Sequence, residues 1–172
     1  MLLGMTDTPA PTRRPWRFLL LFVSFPLAGL LVSLLFGRSL TPLQALAAGA
    51  ILGLVIGVAS AFALGTRMWT WALASAVGLG AGTAASVLLA PQAPLLAALI
   101  QGLALGIAQA LVKPPFHPLA WAVLVLFAWF TAWAVSLQVA IGDEPGFVVF
   151  GASGALAFSA ISWLAVSGRR AA

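Results

Sequence analysis

The sequence predicts an all-α integral membrane protein, built as a bundle of six transmembrane helices. The first observation behind this prediction is composition: of 172 residues, 63% are hydrophobic and 6% are charged, and the mean hydropathy is +1.13. Soluble domains carry about 25% charged residues, so the composition excludes a water-soluble globular fold. The second observation is that apolar runs of about 20 residues, the length that crosses a bilayer, follow one another with short breaks.

The apolar runs predict one membrane domain at 16–168, between a polar tail at 1–15 and a short tail at 169–172. The predicted spans are 16–37, 43–65, 68–90, 92–113, 117–141 and 146–168. Glycine and proline interrupt the chain at the breaks, as at Gly37, Gly65 and Pro91. Backbone groups in lipid must be hydrogen-bonded within their own segment, and no ten-residue segments alternate in polarity, so these spans are predicted to be helices.

The basic residues predict how the chain is oriented. If the N-terminus is cytoplasmic, only Arg38 falls outside, in the company of Asp143 and Glu144. The basic residues on the inside are then Arg13, Arg14, Arg17, Arg67, Lys113, Arg169 and Arg170. This asymmetry predicts that both termini are cytoplasmic. The alanine-rich, arginine-over-lysine composition fits a bacterial inner membrane.

Tryptophans support the same orientation. Those near the cytoplasmic ends of their predicted spans are Trp16, Trp69, Trp71, Trp121 and Trp163. An indole ring suits the membrane interface, so we expect these five side chains to lie there. The net charge of +5 is accordingly interpreted as an orientation signal and a contact with anionic lipid, with no nucleic-acid partner.

Small residues recur along the predicted helices. Gly49, Gly53 and Gly57 are four residues apart, and Gly102, Gly106 and Gln109 share one helical face. Such faces let helix backbones approach closely in lipid. Packing inside one bundle is the favoured interpretation, and a surface for self-association or a partner is the alternative.

An internal repeat is a further possibility that the sequence leaves open. An offset of 49 residues aligns Gly53, Gly102 and Gly151, with small residues around each of them. Three helical hairpins of about 49 residues would explain this alignment. Because each hairpin holds two spans, the repeats would be parallel, related by an axis along the membrane normal.

The residues offer little for catalysis. The chain has no cysteine, its one histidine is His117 in a predicted turn, and every charged residue lies at a span end, in a loop or in a tail. An ionisable residue within the membrane is the usual indicator of transport or enzyme chemistry. We therefore expect no enzyme activity, no cofactor and no metal site.

Two features remain as candidate contacts. Gln101 lies near the middle of the fourth span, with Gln109 two turns closer to the cytoplasm, and an amide at that depth needs hydrogen-bonding partners. Trp129 and Trp133 lie in the middle of the fifth span, although tryptophan prefers the interface. Structural packing is the favoured interpretation of both pairs, and contact with a ligand is the alternative.

Together these patterns predict a non-enzymatic, multi-pass inner-membrane protein. In the leading hypothesis it is an interaction or accessory subunit that packs through its small-residue and aromatic faces against another membrane protein or a second copy. The alternative is a small-molecule-binding or transporter subunit with an apolar ligand between helices near Gln101. The candidate ligand or partner contacts are Gln101, Gly102, Gly106, Gln109, Trp129 and Trp133.

Overall fold

The computed structural model describes residues 16–37, 41–112, 114–115, 117–139 and 154–167, and within these residues the chain is helical with no strand. The six helices are α1 Trp16–Phe36, α2 Pro42–Leu64, α3 Met68–Leu89, α4 Pro94–Ala110, α5 Pro118–Val139 and α6 Ala155–Ser167. The all-α prediction is confirmed for this part of the chain. The two predicted tails, Arg38, Lys113 and the loop with Asp143 and Glu144 lie outside the described residues.

Local signals explain where the helices begin and end. At the start of α2, the Thr41 backbone N–H donates to Gln44 Oε1 at 2.9 Å, and the Gln44 N–H donates to Thr41 Oγ1 at 3.3 Å. This reciprocal pair is a capping box, with Pro42 in the first turn, where its missing N–H costs nothing. The helix ends at Gly65, whose φ of 70° lies in the left-handed region that glycine adopts without strain.

Four helices are long and apolar enough to cross a membrane: α1, α2, α3 and the Pro118–Gln138 part of α5. Helix α4 has 17 residues and is shorter than the fourth span predicted at 92–113, because the chain turns at Leu111 and Val112. At 1.5 Å per residue α4 is about 25 Å long, against about 30 Å for a bilayer core. The apolar part of α6 is also shorter. The structure therefore supports four candidate spans, and a six-span bundle stays a prediction.

The six helices form a ring in chain order. Each contacts the next, and α6 returns to contact α1. The short connections from α1 to α5 make these five helices antiparallel to their neighbours in the chain. The inside of the ring is filled by large buried side chains, which include Leu21, Phe25, Ile56, Trp71, Leu105 and Trp129.

The outward faces of the ring are apolar too. Leu34 and Leu43 are each 75% exposed, and Val77 is 69% exposed. A helix that is apolar on every side is typical of a membrane span, because lipid rather than water surrounds its outer face. The described surface therefore suits membrane association.

Candidate functional site

Gln101 lies inside the ring, where its side chain joins α3, α4 and α5. Trp129 Nε1 donates to Gln101 Oε1 at 3.2 Å, and Gln101 Nε2 donates to Ser86 Oγ at 3.1 Å. The Ser86 hydroxyl in turn donates to the backbone carbonyl of Thr83 at 2.8 Å. We call Trp129, Gln101 and Ser86 the Gln101 bridge. Because an indole can only donate, the amide oxygen must face Trp129 and the amide nitrogen must face Ser86.

Gln109 makes the same connection between the same three helices. Trp121 Nε1 donates to Gln109 Oε1 at 3.1 Å, and Gln109 Nε2 donates to Ser75 Oγ at 2.9 Å. The Ser75 hydroxyl donates to the carbonyl of Trp71 at 2.8 Å. We call Trp121, Gln109 and Ser75 the Gln109 bridge.

The two bridges repeat one chemical pattern at two depths. Gln101 and Gln109 are eight positions apart, as are Trp121 and Trp129, which corresponds to about 12 Å along a helix. Hydrogen bonds between membrane helices average about 0.6 kcal/mol each. Their effect is therefore mainly to fix how α3, α4 and α5 are rotated relative to one another.

A further indole extends the Gln109 bridge to α2. Trp71 Nε1 donates to Ser60 Oγ at 3.0 Å, and the Ser60 hydroxyl donates to the carbonyl of Gly57 at 3.1 Å. The Trp71 and Trp121 rings meet edge to face with centroids 5.4 Å apart. Both indoles are buried, at 0% and 3% exposure, so they face the inside of the ring, and their position at the membrane interface stays a prediction.

The glycine faces are occupied by neighbouring helices. A Cβ added at Gly102 would stand 3.0 Å from Trp129 Cβ, and one at Gly106 would stand 2.7 Å from the Ala122 carbonyl oxygen, both on α5. Gly53 and Gly57 of α2 pack in the same way on α3 near Ser75, and Gly49 packs near Leu79. At the described glycines of these faces, the neighbouring helix therefore takes up the space that a side chain would need.

An aromatic cluster fills the middle of the ring. Trp129 is 1% exposed and packs edge to face on Phe158, with centroids 5.9 Å apart. Phe25 lies 5.4 Å from Phe158 and 6.1 Å from Trp129, so the cluster joins α1, α5 and α6. Trp133 is half-buried and packs against the core from α5.

Two spaces lie near the Gln109 end of the ring. The first is an internal cavity of about 10 Å³, whose polar lining comes from Ser60, Gln109 and Ser162. This volume holds about one water molecule. The second is an open cleft of about 580 Å³ between the α2–α3 turn and the end of α4. Leu64 lines both spaces, and Arg67 lines the cleft.

The structure brings most of the predicted contact residues together along α4 and α5. Gln101 meets Trp129, which also packs beside Gly102, whereas Gln109 and Gly106 meet the preceding turns of α5. Trp133 takes no part in either bridge. Nothing in the structure tests whether any of these residues contacts a ligand or partner.

Sequence reasoning missed the serine and tryptophan partners of the two glutamines. A usable signal was present in the spacing, because residues equally distant from a tight turn face each other in an antiparallel hairpin. Gln109 and Trp121 lie six positions on either side of Pro115, and Gln101 and Trp129 lie fourteen. No family model, curated protein or solved structure matches this chain, so its site is interpreted from its own residues.

Proposed function

We propose that this chain is a non-enzymatic, multi-pass protein of the bacterial inner membrane that acts as an interaction or accessory subunit, with both termini in the cytoplasm. Four long apolar helices with apolar outward faces support membrane residence. The basic residues on one side of the predicted spans support the orientation. Every charged residue lies at the end of a predicted span, in a loop or in a tail, which supports a role without catalysis.

The observation that carries the proposal is that, among the described residues, side chains of the protein itself fill the inside of the ring around Gln101 and Gln109. Gln101 and Gln109 each use both ends of their amide on neighbouring helices. The 10 Å³ cavity has room for about one water molecule, whereas small-molecule pockets occupy about 300–1,000 Å³. A filled interior favours a protein that works through its outer surface.

The aromatic side chains of α5 that reach the outer surface of the ring are the best candidates for partner contact. On α5, Phe127 is 60% exposed, whereas Phe130 and Trp133 are half-buried beside it. Aromatic side chains bury large areas with little loss of conformational entropy. This surface lies in the middle of a long apolar helix, so a partner there would be another membrane-embedded helix.

Photo-crosslinking in cells tests this surface. We expect benzoylphenylalanine at Phe127 to give one dominant protein adduct, because the partner helix packs there. The matched control is the same residue placed at Val77, which is 69% exposed and occupies the tenth position of α3, as Phe127 does of α5. Equal protein adducts from both positions, or lipid adducts alone, would contradict partner contact at Phe127.

The second candidate function is binding or transport of a small molecule. One observation favours it: Leu64 lines both the internal cavity and the open cleft, so the two spaces adjoin the same residue. In this candidate function, a movement of Leu64 joins the cleft to the polar groups of Ser60, Gln109 and Ser162. If the protein binds a small molecule, that molecule should be retained with the isolated chain. If the protein is an accessory subunit, a second polypeptide should be retained instead.

A further inference from the structure

The cleft beside Arg67 has features of an anion site. It lies between the α2–α3 turn and the end of α4, and its volume of about 580 Å³ is that of a small-molecule pocket. Gly65, Thr66, Arg67 and Thr70 line one side, and Leu111 and Val112 line the other. One side of the cleft is therefore polar and cationic, and the described residues of the other side are apolar.

Arg67 brings a positive charge to this cleft that no carboxylate neutralises among the described residues. Its side chain is exposed, and the chain has three acidic residues in all, each outside the described ranges. These are Asp7, Asp143 and Glu144. A guanidinium presents several N–H donors in a planar fork that matches the oxygens of a phosphate.

Thr66 adds a hydroxyl group that needs an acceptor. Its Oγ1 is shielded from solvent and has no hydrogen-bond partner among the described residues, although it lines the cleft. The hydroxyl of Thr70, by contrast, already donates to the Arg67 carbonyl at 3.1 Å. A buried hydroxyl without a partner costs free energy, which a phosphate oxygen in the cleft would recover.

The start of α3 supplies further donors in the same place. Arg67 is the residue before the first turn of α3, and no side chain caps that turn. The Trp71 backbone N–H donates to the Arg67 carbonyl at 3.0 Å, which is the first backbone hydrogen bond of the helix. The preceding backbone N–H groups carry the partial positive charge of a helix N-terminus, which favours an anion. Arg67, the Thr66 hydroxyl and the helix start thus form three kinds of donor around one cleft.

We propose that this cleft binds a phosphate group, carried by the headgroup of an anionic membrane lipid. The surroundings of the cleft favour a lipid as the source of the phosphate. Leu111, on the wall of the cleft, is 81% exposed, and Trp69, two residues after Arg67, is 66% exposed. An exposed tryptophan beside an arginine is typical of the membrane interface, where headgroup phosphates lie. The acyl chains would then extend over the apolar outer surface of the ring.

Native mass spectrometry of the full chain in nanodiscs of mixed phosphatidylglycerol and phosphatidylcholine tests this site. We expect Arg67→Gln to reduce retained phosphatidylglycerol about fivefold or more, because it removes the charge-assisted hydrogen bonds from the guanidinium to the headgroup phosphate. Retained phosphatidylcholine should stay unchanged. The Thr66→Val variant keeps the charge and shape and should reduce phosphatidylglycerol by a smaller factor.

Arg17→Gln is the matched control, because it removes the same charge from a residue outside the cleft. The Arg17 guanidinium carbon lies 5.1 Å from the centre of the Phe62 ring. Equal losses of phosphatidylglycerol from Arg67→Gln and Arg17→Gln would overturn the proposal. An unchanged amount of retained phosphatidylglycerol in Arg67→Gln, or in Thr66→Val, would also overturn it. A second experiment adds inorganic phosphate in the millimolar range. If phosphate does not displace the bound lipid, the result supports a lipid headgroup as the ligand. If phosphate displaces the lipid and is itself retained on the protein, the lipid is not the source of the phosphate group.

Discussion

At the residue scale, the two buried glutamines decide how α3, α4 and α5 fit together. The amide of Gln109 is used at both ends, the oxygen by Trp121 and the nitrogen by Ser75. A substitution that removes one partner leaves a buried donor or acceptor without its hydrogen bond. The free energy at stake is modest: about 0.6 kcal/mol for an average bond between membrane helices, and about 1–3 kcal/mol for a buried polar group left unpaired.

Substitution of Gln109 measures this contribution. We expect Gln109→Leu to lower the free energy of unfolding by about 1–2 kcal/mol, because it leaves the Trp121 indole N–H buried without an acceptor. The measurement is unfolding in detergent followed by tryptophan fluorescence. Adding Trp121→Phe removes the unpaired donor, so the double variant should lose less stability than the two single variants together.

The control for this substitution is Gln92→Leu, which changes an exposed residue at the break between α3 and α4 in the same way. It should leave the unfolding transition nearly unchanged. Equal destabilisation by Gln92→Leu and Gln109→Leu, or strict additivity in the double variant, would contradict a role for the Gln109 bridge.

At the scale of the helices, close approach through small residues holds the ring together. The glycines of α2 pack on α3, and those of α4 pack on α5. In α3, Gly78 and Gly82 pack on α4, whereas Gly80 packs on α2. Lipid gives helices no hydrophobic reason to associate, so these backbone contacts replace the large side-chain core of a soluble bundle. The pattern explains why consecutive helices are such close neighbours.

A single added methyl group tests this packing. We expect Gly106→Ala to destabilise the protein by about 1–3 kcal/mol, the usual cost of overpacking, because the new Cβ would stand 2.7 Å from the Ala122 carbonyl and 3.0 Å from its Cα. The measurement is the same unfolding experiment. Ala81→Val adds volume on the exposed face of α3 and is the control; a loss of stability no larger for Gly106→Ala than for Ala81→Val would contradict close packing there.

The ends of these helices could be predicted from the sequence, but the faces they turn inward could be predicted only in part. Gly37, Gly65 and the prolines act locally, so their effect does not depend on the rest of the fold. The inward face of a helix that is apolar on all sides has no such local signal. Trp71 and Trp121 show the consequence: their position near a span end predicts their depth in the membrane, but it carries no information that both indoles turn inward.

The predicted repeat can be compared with the structure for two of its three copies. Gly53 packs on α3 as Gly102 packs on α5, so both aligned glycines face the helix that follows. Ser60 and Gln109, which are also 49 positions apart, each accept from a tryptophan of that following helix. Gly151, in the third copy, lies outside the described residues, and the three-hairpin repeat stays a prediction.

At the scale of the whole molecule, the described residues form a ring that is packed with side chains inside and largely apolar outside. The Gln101 and Gln109 bridges use both ends of each glutamine amide, and the cavity beside Gln109 holds about one water molecule. Its outer surface presents leucine, valine and Phe127 to the surroundings. Such a molecule is suited to contacts with lipid and with other membrane helices, which is why we favour an accessory role over a ligand-binding one.

Native mass spectrometry of the protein extracted from its own membrane in a mild detergent tests that central claim most directly. For an accessory subunit, we expect a stoichiometric second polypeptide, or a second copy of the chain, to be present in the complex. We expect no small molecule to remain after bound lipid is removed. A bare single chain that retains a small molecule of defined mass would contradict it, and would assign the protein to ligand binding instead.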